Sequence, residues 1–69
     1  MQILVFKTNL DAQRILDVKP SLDVHPNIYQ WNVDLKDCDN VLRIKSNNIS
    51  PKEIESILGQ SGFSCEELR

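Results

Sequence analysis

Ile3, Leu4, Val5 and Phe6 form an unbroken run of apolar β formers close to the start of the chain. A strand with one wet face alternates apolar and polar residues. A run without alternation instead predicts an interior strand with little solvent on either face. The rest of the chain must then supply a pairing partner on each side of it.

Helical spacing follows. Thr8 or Asn9 is placed to cap a helix with Asp11 in its first turn, and Ile15, Val18 and Leu22 repeat at helical intervals, with Leu16 and Ala12 beside them. Pro20 interrupts this segment, because it lacks a donor and crowds the carbonyl four residues back at about 3 kcal/mol. The spacing predicts one helix from about Leu10 to Val24 kinked near Asp17, or two short ones with Pro20 opening the second. It ends before His25-Pro26, since a residue preceding proline disfavours helix. From Tyr29 the period becomes two: Tyr29, Trp31, Val33 and Leu35 alternate with Gln30, Asn32 and Asp34. Residues 36–40 are turn formers, and Leu42 and Ile44 alternate with Arg43 and Lys45 in a third strand closed by Asn47-Asn48. Ser50, Pro51 and Glu53 make an N-cap, a first-turn proline and a capping-box glutamate, with Ile49 and Ile54 as a hydrophobic staple. Ile54, Ile57 and Leu58 share one stripe, Gly62 is placed for a left-handed stop, and Phe63 and Cys65 open a fourth strand.

The order βαββαβ contains two crossovers and one hairpin. It predicts an α+β, ferredoxin-like sandwich: a four-stranded antiparallel sheet, order 4-1-3-2, with two helices on one face. Right-handed crossovers put the first strand inside. We expect residues 1–69 to form one domain, because a chain of 69 residues has no length for a second lobe or a deep cleft. Eight basic against ten acidic residues give a net charge of −2 and a pI near 5.1, which argues against nucleic-acid binding. No run approaches the ~20 apolar residues of a membrane span. Two distant cysteines are too few for a disulfide scaffold and predict a reducing, cytoplasmic setting.

With these elements in order, the chain resembles the heavy-metal-associated domain family, the small copper-chaperone fold. The resemblance rests on the first strand and helix, Trp31-Asn32-Val33-Asp34-Leu35, Val41-Leu42-Arg43-Ile44, the helix after Ser50-Pro51, and Ser61-Gly62-Phe63. The family carries Met-x-Cys-x-x-Cys between its first strand and helix, where two thiolates hold a soft metal. The corresponding positions here hold Thr8, Leu10 and Gln13. The resemblance therefore implies the fold without that ligand pair, so we expect no cofactor and no metal at this junction.

Several residues outside this junction are candidates for chemistry or contact. The 36–40 hairpin and the 59–62 loop lie at the end of the domain that carries this junction, putting Cys38 and Cys65 within about 15 Å by strand geometry. A displaced two-thiolate site is one reading. The other makes Cys65 a core residue, by its parity with Phe63, and Cys38 an exposed turn residue. His25 reads as a solvated helix-end residue. Asp34, Asp37, Asp39 and Asn40 lack the glycine and terminal glutamate of a Ca²⁺ loop. Trp31 is expected under the first helix. Ile3 and Val5 are expected on the sheet face away from the helices, bordered by Arg43 and Lys45: an apolar stripe with a charged rim, suited to a protein partner or self-association. No nucleophile–base pair, phosphate cradle or paired carboxylates stand out, so no catalytic residue is assigned and an enzyme is not expected.

Overall fold

In the computed structural model, residues 1–36 and 38–68 are described. The elements run β1 (Gln2–Thr8), α1 (Ile15–Asp23), β2 (Ile28–Asp34), β3 (Val41–Ser46), α2 (Pro51–Gln60) and β4 (Cys65–Glu67). The four strands form one antiparallel sheet in the order β2-β3-β1-β4. This is the expected topology, with the apolar run of β1 between two neighbours.

The register separates the two faces. Leu4 pairs with Ile44 and Phe6 with Leu42, and all four are buried beneath Val18 and Leu22 of α1 and Ile54 and Leu58 of α2. Ile3 lies opposite Lys45 and Val5 opposite Arg43 on the other face. Both helices thus cover one side of the sheet and leave the other open. β1 is interior in the plane of the sheet, yet one of its faces meets solvent, as the exposure of Ile3 shows.

α2 starts and stops on local signals. The Ser50 hydroxyl accepts from Glu53 N–H, Pro51 opens the helix, and Ile49 and Ile54 are both buried. At the far end Gly62 takes φ +86°, Phe63 N–H donates to Leu58 O and Gly62 N–H to Gly59 O, a Schellman closure.

α1 departs from expectation at its start. Its cap is neither Thr8 nor Asn9: the Asp11 carboxylate accepts from Gln13 and Arg14 N–H, holding a leading turn over 12–14. Leu16 and Asp17 N–H then reach back three residues rather than four, and regular helix begins at Ile15. One helix continues through the exposed Pro20 to Asp23. β2 also differs. A register shift between Ile28 and Gln30 leaves Tyr29 in a bulge and 61% exposed, while Ile28, Trp31 and Val33 pack against the core. Leu35 lies beyond the strand and is exposed, and β4 begins at Cys65, after a half-buried Phe63.

Candidate functional site

The β1–α1 junction is held by residues distant in sequence. Thr8 N–H donates to Asp39 O, the Thr8 hydroxyl donates to Asn40 O at 2.7 Å, and Asn40 Nδ2 donates to Leu10 O at 2.7 Å. Asn40 takes φ +46°, a conformation asparagine tolerates better than most residues. Leu10 is fully buried within the core, so its side chain is withdrawn from the surface of the loop. Asn9 Oδ1 accepts from Ser64 N–H, and the Arg14 guanidinium lies 6.0 Å from the Phe63 ring centre. The junction is thereby tied to the 36–40 hairpin on one side and to the segment before β4 on the other.

Cys65 pairs with Thr8 across β1–β4, is half-buried and packs against the core. Burial, reinforced by the charge of Glu55, pushes its thiol pKa up to about 11. Cys38 is exposed in the hairpin with its Sγ 3.9 Å from Asp39 Oδ1. Both cysteines are free thiols, on hairpin and strand segments flanking Thr8 from opposite sides. Among the described residues no three His, Cys, Asp or Glu side chains are grouped closely enough to hold a metal ion. Asp37 lies outside the described residues. Asp34 Oδ1 accepts from Lys36 N–H and its Oδ2 lies 4.0 Å from Arg43, while Asp39 is 3.6 Å from Lys7.

At the opposite end, His25 is not a solvated residue. Its side chain is 18% exposed, Nδ1 accepts from Asn27 N–H, and Nε2 faces Glu53 Oε1 at 3.7 Å. The imidazole joins the exit of α1 to the start of α2, a contact between residues 28 positions apart that helix-end reasoning did not anticipate. Trp31 lies beside α1 as expected, with Nε1 donating to Asp23 Oδ1 at 2.8 Å. A groove of about 420 Å³ runs there, lined among others by Lys19, Leu22, Ile28 and Tyr29.

On the open face, Ile3 is 60% exposed and Val5 half-buried, each opposite a basic residue of β3. Leu68 N–H donates to Val5 O, which brings a third, exposed apolar residue onto this face beside Val5. Leu68 shares the parity of Glu66. Extending the fourth strand's alternation by one step would have found it.

Over the whole chain, the architecture matches solved structures at low identity. One chain of the Atx1–Cu(I)–Ccc2a complex aligns with a TM-score of 0.84 at 17% identity, covering 100% of this chain and 97% of that one. The HMA domain of the copper chaperone for superoxide dismutase, in its apo form, aligns at 0.75 and 18% identity, covering 97% of this chain and 66% of that one. The chain has the heavy-metal-associated fold. The N-terminal domain of PacS from Synechocystis shares that fold with a TM-score of 0.81 at 10% identity, each chain covered in full. No protein-family model and no curated protein matches the sequence. On this heavy-metal-associated fold the chain has no Cys-x-x-Cys pair, since its cysteines stand at 38 and 65. No described helix is long and apolar enough to cross a membrane.

Proposed function

We propose that this domain is a non-enzymatic interaction module of the cytoplasm that meets a protein partner through its open sheet face. The observation that carries this reading is the row Ile3–Lys45 and Val5–Arg43, in which an exposed and a half-buried aliphatic group lie in register with basic side chains. Such a patch offers a desolvated centre with a polar border, as protein interfaces do. The withdrawal of Leu10 into the core also favours contact over metal carriage, because a heavy-metal-associated domain of chaperone type presents a thiolate at that position. A neighbour in fold was solved within a two-protein complex, which agrees with the scaffold serving such contacts. Introducing Ile3→Asp with Val5→Asp is expected to lower capture of binding partners from the native host about tenfold while the far-UV circular dichroism stays unchanged. Undiminished capture by the folded variant removes this face as the interface.

The second reading is metal binding at a non-standard site, favoured by the placement of Cys65 and the Cys38 hairpin on either side of Thr8. Against it stands the raised pKa of Cys65, since a soft metal takes the thiolate. Native mass spectrometry with Cu(I) and with Zn(II) separates the two. Stoichiometric binding that disappears in the Cys38→Ser, Cys65→Ser variant would establish the metal site.

A further inference from the structure

The two edges of the sheet are unequal. β4 is three residues long and carries Glu66 and Glu67 side by side, so a second strand meets a short, doubly acidic border there. β2 is seven residues long, and from Tyr29 to Val33 it holds no charged residue and no proline. Charged side chains and prolines are the usual means by which edge strands are kept from pairing; β2 has one charge, Asp34 at its last position, and the bulge at Tyr29.

The direction of the β2 backbone follows from one hydrogen bond and the antiparallel rule. Leu68 N–H donates to Val5 O, so the Val5 backbone is turned toward β4. Alternation turns Leu4 and Phe6 toward β3, leaves Arg43 and Lys45 of β3 turned toward β2, and engages Asn32 and Gln30 with them. Trp31 and Val33 therefore direct their N–H and C=O groups out of the sheet, with no further strand among the described residues to receive them. Beside that border lies the groove lined by Leu22, Ile28, Trp31, the Lys19–Asp23 ion pair and Tyr29, the most exposed aromatic of the sheet.

We propose that β2 pairs antiparallel with β2 of a second copy of this chain, joining two four-stranded sheets into one of eight strands. This goes beyond the open-face reading and does not depend on it. A second copy suits the edge because the strand is complementary to itself. With the two-fold axis at Trp31 or at Asn32, the outward-turned residues meet in hydrogen-bonded pairs, and Asn32 faces Gln30 or Asn32 of the other copy without opposing charges. The acidic, short β4 edge restricts extension to one side. The assembly is then a closed dimer rather than a fibre. A pair of strands of this length belongs with the weak, transient interfaces below ~1,200 Å², so the dimer is expected to form only at high concentration.

Sedimentation equilibrium of the full chain from about 10 μM to 2 mM is expected to show a mass rising toward that of the dimer, and amide exchange at Trp31 and Val33 slowing about tenfold over that range. Asn32→Lys and Asn32→Glu each place like charges at or diagonal to the axis, and each alone is expected to remain monomeric. Mixing the two is expected to restore the dimer. The Ile3→Asp, Val5→Asp variant is expected to dimerise like the wild type, so loss of the open face and loss of the β2 edge are read separately. A wild-type chain monomeric at 2 mM, single variants that dimerise undiminished, a mixture that stays monomeric, or loss of the dimer in the open-face variant overturns the proposal.

Discussion

Cys65 and Leu10 show how much one residue's setting decides at the β1–α1 junction. The folded state holds the Cys65 thiol protonated, with its pKa moved from 9.0 to about 11 by burial and by Glu55. Between those values the unfolded chain has released a proton that the folded one retains. Stability therefore falls as pH rises from about 9 toward 11 and is unaffected by this group below 9. Alkylation by iodoacetamide at pH 8 is expected to modify Cys38 first, with Cys65 following only as the pH approaches 11. Equal rates at pH 8 would contradict the burial argument. Leu10 acts through volume. Leu10→Ala removes a fully buried side chain from the core and is expected to cost about 2–5 kcal/mol in urea denaturation, unlike a change at the exposed Gln13. That residue 10 faces inward was not legible in the chain, where Leu10 stands at the first position of the expected helix, ahead of the Ile15–Val18–Leu22 repeat, and its carbonyl is held by Asn40 from 30 positions away.

The two helices differ as elements because their boundaries are set over different distances. The capping signals of α2 lie within a few residues of it: Ser50, Pro51, Glu53, the Ile49–Ile54 pair and Gly62. Its range could accordingly be read from the sequence. Ser50→Ala is expected to cost about 1 kcal/mol in chemical denaturation. Gly62→Ala forces a Cβ into φ +86° and is expected to cost about 1–2 kcal/mol although nothing crowds the site, a loss that would be absent if crowding were the cause of the preference for glycine. α1 begins several residues later than the spacing predicts because its two nearest caps are engaged elsewhere. The Thr8 side chain bridges to residue 40 and that of Asn9 to residue 64, so the remaining Asp11 takes the turn. In the same way Tyr29 fits the period of β2, but the strand bulges there and Ile28 takes the inward position.

For the whole molecule, a chain of 69 residues has a net stability of about 3–10 kcal/mol, so a single interior position can hold much of it. Phe6 is fully buried at the centre of the sheet, between β3 and β4 and under both helices. Phe6→Ala is expected to cost about 3–5 kcal/mol, leaving a substantial unfolded population at 25 °C by circular dichroism, whereas Ile3→Ala on the open face of the same strand costs less than about 1 kcal/mol. The residue order alone carried the sequence of elements, the sheet topology and the assignment of Ile3, Val5, Arg43 and Lys45 to one face. These follow from periodicity, capping chemistry and the handedness of crossovers, all of which act over a few neighbouring residues or apply to every L-chain. The inward turn of Leu10, the His25–Glu53 contact, the bulge at Tyr29 and the unequal edges of the sheet emerged only in the folded chain. Each depends on groups that are distant in sequence and become neighbours once the core has closed, so local pattern does not encode them.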